Sequence, residues 1–441
     1  MAHAGDRTFV GFGFGAIQAG LFLYEAVQSG AFDRLVVAEV VPARVAQLRA
    51  AGGYYALNIA HADGIEQVEI GPVEVYDPAQ STDRTALIAA VAAATEMSTA
   101  IPSVAGYRTP GPGSLHRLLA AGLVEKERRD GPPLILYCAE NHNQAARELG
   151  AAVVEALAST GAGTAHTLDR VAFLDTVIGK MSGVVPAGVP EMPPEMSSLA
   201  PITPGDEQAF LVESLRNILI SQVRFGAQDD LGKLAQLGHH VGTLARGLAV
   251  FQEKPSLLPF EEAKLYCHNA GHAMAAYLGA MAGVTRMAEL NAVPGLLTAV
   301  RRAMLDEAGA ALVTKFGRDA RALVDPLFTA AGMTAYVDDL LVRMVNPFLL
   351  DTVHRVGRDP MRKLGWDDRL VESMRLVLDQ GGAPTCLALG AAAALHAGRG
   401  DNDPAIAGDA AAKVLARHWS TAPEDQVAQL LAHILPAVEQ L

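Results

Sequence analysis

Short apolar runs alternate with helix-forming stretches up to about residue 180, and this alternation bounds the fold more tightly than any single motif. Thr8–Phe12, Leu35–Val41, Val68–Tyr76, Met97–Val104, Leu134–Cys138 and Val171–Ile178 read as strands. Helical stretches (Ala16–Gln28, one reaching Ala51, Thr85–Thr95, Gln144–Leu157) lie between most of them. The strands are apolar continuously rather than at every second residue, as expected of strands buried on both faces of a parallel sheet. Such repetition predicts right-handed crossovers and a doubly wound α/β domain. From Met181 to Pro204 six prolines forbid a long helix and read as a linker or an extended crossover. Beyond about Glu207 strand signals nearly vanish, and Leu258–Ala282, Gly295–Lys315 and Pro423–Leu435 are long Ala- and Leu-rich stretches. The expectation is an α/β domain over 1–200 and an all-helical domain over 201–441. The stretch Gly226–Glu253 fits neither pattern.

Composition narrows the function classes. The 441 residues suffice for two or three domains of roughly 100–200 residues each. A chain 50% hydrophobic and 19% charged is not disordered. With 35 basic against 48 acidic side chains, the net charge of −13 argues against general nucleic-acid binding. No apolar run reaches the roughly 18 residues of a membrane span, and Ala273–Val284 is too short. The N-terminus lacks the charged start and apolar block of a secretory signal. Cys138, Cys267 and Cys386 are too widely spaced for a disulfide framework or a zinc site. A soluble, cytoplasmic protein with a small-molecule partner is expected, with no metal; a monomer is compatible with the sequence, which does not set the oligomeric state.

The first strand runs into Phe12-Gly13-Phe14-Gly15-Ala16-Ile17 and then a helix. Glycines at such a turn let the backbone approach a pyrophosphate, and the helix N-terminus offers free N–H groups and partial positive charge. Taking Gly13 and Gly15 as the close-approach pair keeps Thr8–Phe12 whole, but puts Gln18 where a third glycine is usual. Glu39, 24 residues beyond Gly15 at the end of the second apolar run, can accept hydrogen bonds from a ribose and would repel a 2′-phosphate. That points to NAD rather than NADP. A tight turn followed by a solvated glutamate is the plainer alternative.

In the helical half, Lys264, Asn269 and His272 fall within an arc of roughly 140° on one helix. A lysine with lowered pKa can take the proton of an alcohol, and Asn and His can hold the oxygen. Spacing alone favours a solvated lysine and two packing residues. Downstream, Arg355, Arg358, Arg362 and Lys363 stand against only Asp351 and Asp359. Such a cluster can hold a phosphate dianion or can pair with nearby acids such as Asp367 and Asp368; charge alone leaves both open.

Lys264 to His272 fits the K-x-x-x-x-N-x-x-H pattern, and the chain is similar here, and through Ala273–Gly279, to the polyol-specific long-chain dehydrogenase/reductase family. Asn346-Pro347-Phe348-Leu349 and the run from Arg355 to Leu364 resemble its mannitol-1-phosphate 5-dehydrogenase branch. The resemblance extends from the Gly-rich turn to about Leu370. It implies a Rossmann-type NAD-binding domain, a helical substrate domain, a site in the cleft between them and no metal. It makes Lys264 the general acid/base, sets Asn269 and His272 on the reacting oxygen, and matches Asn141, after Glu140, to an asparagine that binds the same oxygen. The implied reaction interconverts mannitol 1-phosphate and fructose 6-phosphate. Mannitol 2-dehydrogenase or uronate reductase chemistry is the alternative, and a non-catalytic dinucleotide sensor a second one. Besides Gln18, Gly179-Lys180-Met181 replaces a common Asp-Arg-Ile, and the chain is longer around Gly226–Glu253.

Overall fold

Thr8–Phe12 (β1) has no exposed residue, and its side chains serve two cores by turns. Phe9 packs with Val37, Ile135 and Tyr137, whereas Val10 and Phe12 pack with Val36, Leu136 and Cys138. The continuous apolar runs are therefore strands covered on both faces. The computed structural model describes residues 7–160, 167–188, 199–216, 218–225, 245–317, 325–398 and 408–441. The chain forms two units, Met1–Leu257 and Leu258–Leu441.

In the first unit β1 is followed by β2 (Arg34–Ala38), β3 (Tyr55–Ala60), β4 (Ile65–Ile70), β5 (Glu74–Tyr76), β6 (Ala94–Thr99), β7 (Leu134–Cys138), β8 (Val171–Val177), β9 (Ser182–Pro186), β10 (Gln208–Glu213), β11 (Leu219–Ser221) and β12 (Gln252–Lys254). The main sheet has the order β12-β11-β8-β7-β6-β1-β2-β5, parallel from β5 to β8, with β11 antiparallel to β8. Its six parallel strands have the doubly wound order of a Rossmann sheet. Helices α1 (Tyr24–Ser29), α2 (Pro42–Ala50), α3 (Ser81–Ala93), α4 (Leu115–Arg128) and α5 (Ala145–Thr160) complete the unit. The last three build the Val10 core; the Phe9 core is closed by a second sheet of order β4-β3-β10-β9.

This topology moves the division expected at residues 200 and 201 to Leu257/Leu258. Beyond Glu207 strand formation continues in β10, β11 and β12, each held by partners distant in sequence. Phe210, Ile220 and Phe251 are at most 1% exposed. At about 1.5–3 kcal/mol per fully buried side chain, they tie this segment to the first unit. Fully buried Glu96 on β6 adds a polar anchor. It accepts from Arg7 (2.9 Å), from the Tyr137 hydroxyl (2.8 Å) and from the backbone N–H groups of Gly247 and Leu248. The Pro-rich stretch is extended, as expected, at Ser182–Pro186, where Pro186 ends an edge strand and removes no central ladder bond. The expected strand Val68–Tyr76 is two strands of different sheets, because Gly71-Pro72 interrupts it. Most of the unassigned stretch, 226–244, and 189–198 of the Pro-rich one lie outside the described residues.

Helix formation after the Gly-rich turn starts with a π-helical turn (Gln18–Leu23) that continues as α1 and stops at Gly30, with φ +60°. Gln18 is fully buried, and its Oε1 accepts from Ser98 on β6 (2.8 Å). A Cβ at Gly11 would fall on the Gln18 amide.

The second unit is helical: α6 (Leu258–Ala263), α7 (Ala270–Met281), α8 (Leu296–Arg302), α9 (Ala310–Phe316), α10 (Ala330–Met344), α11 (Val353–Gly357), α12 (Pro360–Lys363), α13 (Arg369–Asp379), α14 (Thr385–Ala397), α15 (Gly408–His418) and α16 (Glu424–Gln440). Small residues set its packing: Gly271 abuts Met304, and Gly390 of α14 abuts Met274 of α7. The three cysteines are free and buried, and desolvation holds each thiol above its usual pKa.

Gly11→Ala should cost about 1–3 kcal/mol of stability, the usual range for overpacking. In a Gln18→Ala background the same change should cost far less. Denaturant melts of both single variants and the double variant measure the difference; equal costs in both backgrounds would rule out the Gln18 amide as the obstacle.

Candidate active site

In a sheet covered on both faces, free backbone groups converge at the strand ends, and in this topology at the carboxyl ends of β1 and β6. There Gly13 adopts φ +86°, donates its N–H to Ala38 at the end of β2 (2.9 Å), and lies so close to β6 that a Cβ would be 2.7 Å from the Ala100 carbonyl. Gly15 has open space where a Cβ would be, and its carbonyl accepts from Ala19 as the helix begins. Phe12 and Phe14 put their rings into the two cores, Phe14 edge-on to Tyr55 and Phe210, while Ala16 is buried and Ile17 packs against the core. What Phe12 to Ile17 offer a ligand is therefore mainly backbone.

Glu39 directly follows β2. Its carboxylate accepts the Val41 N–H (2.7 Å) and its own N–H is held by Tyr76 (3.0 Å). Gly13 and Glu39 thus meet through the Ala38–Glu39 backbone. The fit for a dinucleotide is good: a left-handed glycine, an open glycine, a helix start and a fixed carboxylate. Asn141 is exposed in the loop after β7. Before it, buried Glu140 accepts from Thr99 (2.9 Å), the Ile101 N–H (3.1 Å) and the Tyr107 hydroxyl. That network fixes the base of Asn141's loop to the end of β6.

In the second unit Lys264 opens a π-helical turn (Lys264–Asn269) between α6 and α7. Such turns occur often at functional sites. Burial, then the Arg369 charge, lower the Lys264 pKa to about 8, against a smaller opposing effect of Glu261. His272, three residues beyond the turn, has Nε2 buried without a hydrogen bond; the nearest carboxylate, Asp351, is 3.8 Å away. Burial lowers its pKa to about 4, with Arg355, Lys363 and Arg369 adding to the effect and Asp351 opposing it. The imidazole is neutral at pH 7. The Asn269 side chain forms no hydrogen bond among the described residues. The Asn269 amide and the His272 imidazole thus lie on the same helical run as Lys264, with polar atoms left uncommitted.

The predicted phosphate cluster is divided. Arg355 is bidentate on buried Asp351, both bonds 2.7 Å. Arg362 donates to Asp368 (2.9 Å), and exposed Arg358 places Nε on the Arg355 carbonyl (3.1 Å). Lys363 is buried, bonded to the Val356 carbonyl and stacked over the Tyr277 ring. The two pairing acids are partners that charge alone left open. Sequence reasoning missed Arg369; the His268 ring lies 5.9 Å from that of His272. The signal for Arg369 was available: Asp368 caps the helix it begins.

Residues 7–229 match the mannitol dehydrogenase Rossmann domain, and residues 256–435 match the mannitol dehydrogenase C-terminal domain. The chain belongs to the mannitol dehydrogenase family. It is accordingly an oxidoreductase, and the sensor alternative falls away. Two solved structures share the fold: a D-sorbitol dehydrogenase in substrate-free form (13% identity, 98% of this chain and 95% of that one, TM-score 0.69) and Pseudomonas fluorescens mannitol 2-dehydrogenase in ternary complex with NAD and D-mannitol (15% identity, 98% and 94%, TM-score 0.62).

Gly13→Ala should weaken NADH binding at least tenfold and also lower stability, whereas Gly15→Ala should weaken binding without touching stability, since only the ligand would meet the new methyl group. Fluorescence titration and thermal melts check both; full NADH affinity in Gly15→Ala would remove this glycine from the cofactor site.

Proposed function

We propose that the chain catalyses NAD-dependent interconversion of a sugar-alcohol phosphate and the corresponding ketose phosphate, with mannitol 1-phosphate and fructose 6-phosphate as the specific pair. The family and the P. fluorescens relative solved with NAD support the cofactor. Phe12 to Ile17 would hold the pyrophosphate and Glu39 the adenosine ribose. Hydride exchange at the carbinol carbon is the chemistry that bound NAD supplies. Lys264 takes the hydroxyl proton during oxidation and returns it during reduction. Asn269 and neutral His272 donate to the reacting oxygen, and Asn141 keeps the role that the resemblance gives it. The observation carrying the acid–base assignment is the lowered pKa of Lys264, which burial brings to about 8 beside two uncommitted polar side chains.

The phosphate reading is supported by charge. Arg355, Lys363 and Arg369 all act on His272, with Asp351 the acid opposing them. A free polyol or a uronate ketone is the second reading, favoured by the pairing of Arg355 with Asp351 and Arg362 with Asp368. The relatives named for sorbitol and mannitol point the same way.

Lys264→Ala should lower turnover by roughly 100- to 10,000-fold and leave NADH affinity nearly unchanged. In the wild type, polyol oxidation should rise with pH through about 8, because the base must be deprotonated; ketose reduction should fall through the same range. Steady-state rates in both directions across pH 6–10 test this, and a variant within a few-fold of wild type would demote Lys264 to a structural role.

NADH oxidation with fructose 6-phosphate, fructose and tagaturonate, measured side by side, decides the substrate class. Fructose 6-phosphate should be preferred by at least tenfold in kcat/KM. Equal efficiency with fructose would put the free-polyol reading first.

A further inference from the structure

We propose that Arg369 is a substrate-contacting specificity residue, whose guanidinium binds the phosphate of the sugar phosphate; the proposal rests on the phosphate reading above. Arg369 is the first residue of α13, which packs along the Lys264–Asn269 turn and α7. Its backbone N–H and its Nε both go to Oδ1 of Asp368 (2.7 and 2.8 Å). Oδ2 of the same carboxylate takes Arg362. One carboxylate thus serves two guanidinium groups, and the terminal nitrogens of Arg369 have no acceptor among the described residues. The side chain is only 17% exposed.

The surrounding groups do not supply the missing anion. Glu372, one turn along α13, is engaged by Tyr266 and Arg375. Lys363 is buried with a carbonyl and an aromatic ring as partners, and no carboxylate lies within ion-pair distance of it among the described residues. Arg369 raises the cost of charge on Lys264, His268, His272 and Lys363 alike, which places it amid the residues assigned to the reaction. Three buried polar atoms in the same region, His268 Nδ1, His272 Nε2 and Tyr277 Oη, are without hydrogen-bond partners. A dianion carrying several acceptor oxygens answers this arrangement: it gives the free edge of the planar guanidinium a two-point partner and offsets the neighbouring cations.

Arg369→Gln and Arg369→Lys, assayed as full-length protein with fructose 6-phosphate and with fructose, test the assignment. Arg369→Gln should raise KM for fructose 6-phosphate roughly 10- to 150-fold and change KM for fructose far less. Arg369→Lys should fall between, since an ammonium keeps the charge and loses the fork. Inorganic phosphate should inhibit the wild type competitively and Arg369→Gln more weakly, and the midpoint near pH 8 should move up when the neighbouring cation is removed. If the wild type prefers fructose 6-phosphate while both variants keep its KM, Arg369 is not the phosphate residue and the phosphate reading survives. If the wild type does not distinguish the two sugars, the phosphate reading fails and takes this proposal with it. Should Arg369→Gln not fold, Arg369→Lys and phosphate inhibition give the same decision.

Discussion

A parallel sheet covered on both faces can present backbone polar groups to a ligand only at its ends. Everything about the first unit follows from that constraint. Because β1, β2, β6 and β7 are covered on both sides, the chain has to turn at their carboxyl ends, and there the glycines, the start of the π-helical turn and Glu39 are gathered. Departure from the usual third glycine is absorbed locally. Gln18 folds into the space above Gly11 and bonds Ser98, so close helix–strand packing is kept by an amide filling a gap rather than by the absence of a side chain. Gly20 retains a packing role of its own, since a Cβ there would strike Val212 of β10.

The second unit keeps several cations largely out of water. Burial makes charge costly, and cationic neighbours make it costlier, so Lys264 and Lys363 both have pKa values lowered to about 8 and His272 is neutral. Asp351 is the counterweight: held by both nitrogens of the Arg355 fork, it stands 3.8 Å from His272 and orders the segment ahead of α11. Arg355 is then a positioning residue for that carboxylate, a role that differs from direct phosphate binding.

Much of this was legible in the residues themselves. Thr8–Phe12 and Leu134–Cys138 coincide with the observed strands because their hydrophobicity is continuous and their ends are marked by turns. The helix carrying Lys264, Asn269 and His272 was visible from length and composition alone. By contrast β11 and β12 have three residues each, too few for any period, and they exist through pairing with distant segments. The unit boundary was lost with them. Charge left Arg355 and Arg362 open between anion binding and ion pairing, because sequence reports charge but not partner; the fold pairs Arg355 with Asp351 and shares Asp368 between Arg362 and Arg369. For Arg369 the sequence offered its place beside a helix cap, but not what it packs beside.

The three buried thiols carry a practical consequence. Thiol reactivity requires a thiolate within reach of the reagent, and Cys138, Cys267 and Cys386 have neither the exposure nor the acidity. The natural chain is in effect a blank background for maleimide chemistry. A single cysteine placed on an exposed helix position would outreact all three natives, with no need to remove them first. A label at that position would then report on the protein during turnover in an otherwise unmodified enzyme.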